Sequence, residues 1–547
     1  MRTVWPWLVL AWLVAWCCWP LLNSGEHIFI GRISTDAAVT LWFYDLIARS
    51  DVLPYGLSDF DWPSPWLRGR EFPSAVDASM VAPLGRLVDW PRRWGVVQTA
   101  VLGGNALGAA LLARAVGCRG AAIVVAGGLA LLNRQLWFDL VAARMNAVWP
   151  GLAAAALGAW LLTLNRQLPT AQRLAMVGAA SWLGALAGAV YPPYLAMLAP
   201  AGLSLGLGVL VRQRRWSGLL WGALPVAAAL IWIGGDLSEM AALRSNRQLT
   251  DLQCPDSVHA LDAAWLVRFD AIDGLSLPGL SVVSWVLAPL ALLHPRRGAA
   301  VVIAGMVAVL MALSMGPCPS LDGVALSQWQ TLDWVALWRP LERLTDYGRL
   351  ASGAVLLLAV LGALGVDALR RLWSPLSLLV AGACLTWGAG LLMAEIRQPD
   401  KWHAFDVPLT AQFLETAEPG AAAELPFDRS QQFLSVIAHP DRPRVNPLKA
   451  GPRLQTNPFL LWLIQLGRGK PAVADFDLYD LDSARVRWVL LEPGRCRQGG
   501  APSLVCSEAG ISAVSELLGV PQRVADGRLL VWDLEALEGL PPSADEP

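Results

Sequence analysis

The sequence predicts a polytopic α-helical membrane protein of about eleven transmembrane helices with a small soluble α/β domain at its C-terminal end. Three observations predict it. Apolar runs of bilayer-spanning length, such as Val4–Leu22 and Leu350–Ala368, recur through the first 395 residues; arginine gathers in alternate short connections; and from residue 396 onward the apolar runs shorten to the length of strands. A hydrocarbon core about 30 Å thick admits only segments that satisfy their backbone hydrogen bonds internally, and for runs of this length that means helices. Composition agrees: 55% of the 547 residues are hydrophobic and 16% charged, against roughly 25% charged in soluble domains. A net charge of −1 provides no basic surface for nucleic acid, which is excluded as a partner.

Taken in order, the spans fall near residues 4–22, 95–115, 120–138, 146–164, 174–191, 193–211, 217–235, 279–294, 298–315, 350–369 and 375–395. The first has a single Arg before its apolar run and lacks a small-x-small cleavage site, so it reads as a retained helix rather than a signal peptide. With the N-terminus cytoplasmic, the inward connections carry Arg114 and Arg119, Arg166 and Arg173, Arg212, Arg214 and Arg215, Arg296 and Arg297, and Arg370 and Arg371. The outward short connections are poor in arginine, as the positive-inside rule requires. An odd number of spans then puts residues 396–547 outside the cytoplasm, together with the long loops 23–94, 236–278 and 316–349 that interrupt the membrane domain 1–395. The predicted location is the plasma (inner) membrane, with the C-terminal domain periplasmic or extracellular.

The first long loop opens with an amphipathic stretch, Thr35 to Ala48, whose Val39, Trp42, Phe43, Leu46 and Ile47 form an apolar stripe and whose Asp36 stands near the start. Two readings of Asp36 stand side by side: a first-turn carboxylate favoured by the helix dipole, with Ser34 or Thr35 as cap, and a reactive carboxylate at the membrane surface. Further on, Asp59, Asp61, Glu71 and Asp77 lie among Trp62, Trp66, Pro63, Pro65 and Pro73, a mixture suited to sugar rings and equally found in ordered external loops. Asn133, Arg134, Asp139 and Arg144 cluster around the outer end of the third span, and charge at that depth suggests a lined cavity or an outward loop of Asp–Arg pairs. Tyr191-Pro192-Pro193-Tyr194 reads as a tight external turn whose tyrosines are interfacial or stack on substrate. No His/Cys/Asp cluster has metal-site spacing; His27 and His259 are isolated.

In the C-terminal part, AAAELPF, RVRWVLLEP and GRLLVWDLEAL read as strands and ISAVSELLGV as a helix between the last two. The proline-rich segment from His439 to Arg453 reads as a solvated loop or as a basic arm over the membrane. Cys254, Cys318, Cys496 and Cys506 all fall on the outer side, where disulfides form; a Cys496–Cys506 bridge is one pairing among several.

A first helix followed at once by a long external loop, an amphipathic helix with Asp36 near its start, a second Asp before an apolar-Pro-Leu segment (Asp77 in VDASMVAPLG), many spans and an external C-terminal domain: this layout resembles the GT-C superfamily of membrane glycosyltransferases, in a bacterial branch broadly related to the YfhO family. Leu337, Arg339, Pro340 and Arg343 before the span beginning at Leu350 resemble the late external loop of such proteins, and ELPF, RVRWVLLEP and the segment ending VWDL resemble their C-terminal region. The resemblance implies transfer of a sugar from a polyprenyl-phosphate-linked donor to a glycan, lipid or protein acceptor at the outer face, with membrane lipids around the carrier. It implies Asp36 as base or metal ligand with Asp77 second, a divalent cation as possible cofactor, and Arg339, Arg343 and Arg349 facing the phosphate; the three arginines read equally as interfacial anchors or as salt-bridge partners of Glu342 and Asp346. Arg134 and Tyr191 complete the predicted substrate-binding set. The alternative from another class is a lipid-linked glycan transporter or a non-enzymatic assembly factor; no internal repeat of the transporter kind is present, and the polar mass is one-sided.

Overall fold

The computed structural model describes residues 4–23, 28–30, 92–133, 136–137, 140, 148–164, 168–190, 193–213, 221–228, 282–315, 320–321, 324–325, 350–396, 402–404, 407–425, 435, 445, 457–467, 480, 484, 486–494 and 506–535. The chain divides into two compact units, Met1–Arg32 with Val88–His403, and Ile33–Leu87 with Ala404–Pro547.

The first unit is helical: α1 (Trp5–Leu22), α2 (Arg92–Val116), α3 (Ala121–Leu131), α4 (Pro150–Thr163), α5 (Thr170–Val190), α6 (Pro193–Gln213), a helical stretch at 221–228, α7 (Val282–Leu287) continued by a 3₁₀ turn (Pro289–Leu293), α8 (Arg297–Ser314), α9 (Leu350–Leu372) and α10 (Ser374–Ile396). Helix occurs in each of the eleven places where hydropathy predicts a span. Among the described residues four helices are long and apolar enough to cross a membrane: α1, α2, α8 and α9. The central one is α9, in which every side chain from Leu350 to Ala368 is buried. It packs on α2, α3, α7, α8 and α10. A span apolar on all sides and covered on all sides is the axis of a bundle, not a lipid-facing helix. By contrast α1 leaves Trp5, Leu8, Trp12, Trp16 and Trp19 exposed along one side, the side an annulus of lipid would cover.

Close approaches fix the direction of each helix. Trp5 lies against Gly120 and Leu21 against Gly95, so α1 starts level with the end of α2 and ends level with its beginning. Gly151 lies on Asn105 and Gly158 on Leu112, so α4 runs parallel to α2 and its end at Thr163 reaches the same level as Val116. The connections 117–120, 164–169, 294–296 and the bend at Trp373 therefore share one face, and these are arginine-bearing turns.

That face is tied together by one carboxylate. Asp367, fully buried, accepts hydrogen bonds from His294 Nε2 (2.9 Å), Arg370 Nε (3.0 Å), Arg371 Nε (3.3 Å) and the backbone N–H of Arg119 (3.3 Å). Because Nδ1 of His294 accepts from the backbone N–H of Arg296 (3.1 Å), the ring proton on Nε2 is the one donated to Asp367. The guanidinium of Arg296 in turn lies over Gly117, whose φ of +109° and lack of a Cβ the contact requires. Arg173 caps the last turn of α4 by donating to the Thr163 carbonyl (3.0 Å) and stacks on Trp221. At the opposite face α1 and α10 both leave the bundle, and the strands that follow them, β1 (Ile28–Ile30) and β4 (Trp402–Ala404), pair. A two-stranded ribbon, β2 (Ser320–Leu321) with β3 (Val324–Ala325), lies in the connection after α8.

The second unit has a four-stranded sheet of order β5 (Ala421–Leu425), β6 (Val486–Leu491), β8 (Leu529–Asp533) and β7 (Gln522–Val524), with β5 parallel to β6 and the other pairs antiparallel. Helix α11 (Leu409–Thr416) covers one face through Leu414 against Ala422, Trp488, Leu490 and Val531. Helices α12 (Pro458–Gly467) and α13 (Glu508–Leu518) cover the other, where Phe459, Leu463, Val514 and Leu518 meet Ala423, Leu425, Val489 and Trp532. Covering on both faces explains why β5 is buried at every position rather than at alternate ones. The three strands and the helix expected from the sequence are present. The edge strand β7 adds to them, joined to β8 by a turn in which Ala525, Asp526 and Gly527 all have positive φ. Cys506 forms a disulfide.

Replacing Asp367 by Asn should lower the unfolding free energy by about 2–3 kcal/mol in a denaturant titration of the purified protein in detergent, the worth of hydrogen bonds to a buried charge. Reporter fusions after Arg297 and Arg371 should mark one compartment and fusions after Asp322 and Pro547 the other.

Candidate functional site

Three predicted spans are interrupted, and the interruptions define the chemically distinctive part of the helical unit. The span expected over 120–138 breaks at Leu132 and Asn133: α3 is 11 residues long, about 16 Å at 1.5 Å per residue, roughly half the hydrocarbon thickness, and Leu136 and Trp137 are helical again beyond the break. The span expected over 146–164 begins at Pro150, and that expected over 279–294 changes to a 3₁₀ turn at Pro289. Proline starts both new segments because its fixed φ suits a first turn and its missing N–H would have had no helical partner there.

Helix ends at this depth leave backbone groups that water cannot reach, so side chains must satisfy them. At the end of α3 the indole N–H of Trp137 donates to the Leu131 carbonyl (2.7 Å), and the backbone N–H of Asn133, a buried residue, donates to Ala130 (3.3 Å). At the start of α4 the work falls to Asn105, fully buried near the midpoint of α2. Its Nδ2 donates to the Val148 carbonyl (2.7 Å) and its Oδ1 accepts the N–H of Gly151 (2.7 Å). One amide thereby closes both open groups on either side of Trp149 and Pro150, a capping arrangement supplied from a neighbouring helix.

The approach that allows this is made by glycine. A Cβ on Gly108 would meet the Gly151 carbonyl at 2.1 Å, and one on Gly151 would meet the Asn105 Cα at 2.4 Å. Gly104 and Gly108 are spaced as in small-xxx-small helix contacts, with Asn105 between them. Since α4 starts level with Asn105, α2 continues outward past the start of α4 for about 20 Å, from Asn105 back to Arg92. The start of α4 thus points toward the face opposite the arginine turns, the face where the chain leaves after α1 and α10.

All seven residues predicted as site residues, Asp36, Asp77, Arg134, Tyr191, Arg339, Arg343 and Arg349, lie outside the described residues. Asp139 and Arg144, between α3 and α4, do too. Among the described residues no group of three or more His, Cys, Asp or Glu side chains is placed to hold a metal ion. What sequence reasoning missed is Asn105 and the His294–Asp367 pair. Asn105 is an amide inside a Gly-x-x-x-Gly step of an apolar helix, and Asp367 is the one acidic residue of α9, placed three and four residues before two arginines; both signals are visible in the chain.

The architecture is that of a polytopic helical membrane protein with interrupted helices toward one face, and its fold is similar to that of solved membrane glycosyltransferases. The chain is similar to the arabinofuranosyltransferase AftD from Mycobacteria (14% identity, TM-score 0.54, 88% of this chain on 35% of that one) and to ArnT from Cupriavidus metallidurans (13% identity, TM-score 0.50, 98% on 99%). A third similar structure is the archaeal oligosaccharyltransferase AglB from Archaeoglobus fulgidus in complex with an inhibitory peptide and a dolichol-phosphate (13% identity, TM-score 0.48, 98% on 75%). The chain thus spans about a third of AftD and the whole of ArnT. At these identities the likeness is one of fold. No family model and no curated protein matches the sequence.

Replacing Asn105 by Leu removes the cap of α4 and leaves the Val148 carbonyl without its donor. The expected cost is about 2 kcal/mol of unfolding free energy, read by the same denaturant titration.

Proposed function

We propose that this chain is an integral-membrane glycosyltransferase that moves a sugar from a polyprenyl-phosphate-linked donor to an envelope acceptor at the outer face of the plasma membrane. The observation that carries the reading is the GT-C fold along the full length of the chain, matched end to end by ArnT. Membrane glycosyltransferases are its structural neighbours. The interrupted α3 and α4 support it, because irregular backbone at membrane depth is tolerated where it is buried in protein or lines a cavity. A disulfide at Cys506 fits a C-terminal unit in an oxidising compartment, with the arginine turns in the cytoplasm.

In this mechanism Asp36 takes the proton of the acceptor hydroxyl as it attacks the anomeric carbon, or holds a divalent cation, with Asp77 as second carboxylate. Arg339, Arg343 and Arg349 neutralise the departing phosphate through charge-assisted hydrogen bonds. Arg134 and Tyr191 contact the donor sugar. The second reading, a carrier of lipid-linked glycan, draws on the same interrupted helices. It differs in predicting movement of the lipid-linked sugar across the membrane without release of the sugar from phosphate.

The test is transfer of labelled sugar from a polyprenyl-phosphate donor in membranes. Asp36→Asn should reduce turnover by roughly 10²-fold or more, the scale of a positioned general base, at unchanged expression and folding. Arg339→Ala should raise the donor concentration needed for half-maximal rate. Undiminished transfer by well-folded Asp36→Asn returns Asp36 to its helix-capping role, and label that crosses the membrane while still lipid-linked identifies the carrier.

A further inference from the structure

We propose that the arginine turns around Asp367 form a headgroup site for an anionic phospholipid of the leaflet they face, with Arg370 and Arg371 holding its phosphate and Arg119 and Arg296 beside them; the proposal does not rest on the sugar-transfer reading above. A bias of arginine toward one side of a membrane requires only that the residues be on that side. Here they are gathered. Arg296 lies with its guanidinium over Gly117, the backbone N–H of Arg119 donates to Asp367, and Nε of Arg370 and of Arg371 reach the same carboxylate. The buried thiol of Cys118 lies within electrostatic reach of Arg296, Arg370 and Arg371 as well as of Asp367. Four arginines from three segments thus stand around one carboxylate, and among the described residues of these segments Asp367 is the only acid. His294, whose Nδ1 accepts the Arg296 N–H, is neutral and offsets none of the charge. Positive charge in surplus repels itself, and an anion at this face relieves it.

The way the carboxylate is bound selects the ligand. Arg370 and Arg371 each give Nε to Asp367, so the Nη ends of both guanidiniums are left over, and among the described residues nothing accepts from them. Their side chains are 35% and 43% exposed, whereas that of Asp367 is fully buried. The carboxylate therefore steadies two guanidinium groups without covering their outer ends, and an oxyanion that binds there has less side-chain freedom to remove. Several N–H donors on planar groups match the oxygens of a phosphate. Apolar neighbours decide its source: Leu292 and Leu293, directly before His294, and Leu372 and Trp373, directly after Arg371, are all exposed. A soluble anion makes no use of them. A glycerophospholipid lays its acyl chains on such side chains while its phosphate meets the arginines, the arrangement by which basic pockets at helix ends take anionic headgroups.

The test uses the purified full chain in nonionic detergent, titrated separately with dioleoyl phosphatidylglycerol, dioleoyl phosphatidylcholine and inorganic phosphate. The readouts are the thermal midpoint and the lipid retained in native mass spectrometry. Phosphatidylglycerol should raise the midpoint and saturate at a fixed stoichiometry, and the zwitterionic lipid with the same chains should do neither. Arg119→Gln keeps the backbone N–H that serves Asp367, so without lipid it should unfold at the wild-type midpoint; Arg371→Gln keeps a side-chain amide for that carboxylate. Each should bind phosphatidylglycerol about fivefold more weakly, what one arginine contributes near an anionic surface. Arg523→Gln, which removes the same charge from β7 in the second unit, should titrate as wild type. Wild-type affinity in either folded cluster variant overturns the site, and Arg119→Gln alone decides if Arg371→Gln does not fold. An equal loss in Arg523→Gln also overturns it, because charge then acts only in sum. So does an equal response to both lipids, binding without saturation, or no response of wild type to phosphatidylglycerol. Inorganic phosphate that acts as strongly as phosphatidylglycerol overturns the lipid as ligand. None of these outcomes touches sugar transfer, which is measured separately.

Discussion

No water reaches the hydrocarbon region, and every backbone N–H and C=O placed there must find its partner within the protein. Unbroken helices such as α2 and α9 meet this condition by themselves. Where α3 stops at Leu131 and α4 starts at Pro150, the condition passes to side chains, and the answer is specific: Trp137 on the Leu131 carbonyl, and one amide, Asn105, on both Val148 and Gly151. The interruption can exist only because α2 approaches α4 closely enough for an amide to reach, and that approach needs glycine at 108 and 151. Packing and capping are thus parts of one solution.

The opposite face is organised by charge. A buried carboxylate is tolerated when hydrogen bonds and opposite charges surround it, and Asp367 has four donors drawn from three different turns. Two of its partners, Arg370 and Arg371, are partly exposed, so they reach outward while their Nε atoms hold the carboxylate. Asp367 thereby ties α9 to the turn before α8, through His294, and to the turn between α2 and α3, through the Arg119 N–H. Since α9 is buried on all sides, what fixes its end fixes the axis of the bundle.

The second unit packs its core around a sheet. Its strands β5 and β6 pair in parallel and are covered on both faces, so they lack alternation, and the hydroxyl of Ser435 donates to Oε1 of the buried Glu424 at 2.5 Å. At the other end of β6, Arg487 gathers Glu418, Asp533 and Glu535 around one guanidinium and lies on Trp488. The Asp526-Gly527 pair at the β7–β8 turn is a hairpin signal written in the chain, yet β7 escapes a reading by hydropathy because QRV is short, polar and at a sheet edge.

Hydropathy and arginine spacing by themselves determined that the chain is rich in membrane-length apolar helices, where eleven helical regions lie among the described residues, and that three strands and a helix follow. These are properties of composition and period, which act locally. Tertiary structure alone decided where helices stop inside the membrane, that α9 and not another apolar span is the axis, and that Asn105, Asp367 and His294 are paired rather than merely present. The reason is physical. An apolar run of a given length is equally able to be lipid-facing, central or interrupted, and the choice among these depends on which neighbours come close enough to replace water at its polar groups. The candidate carboxylates were legible only as residue types in a loop of suitable composition.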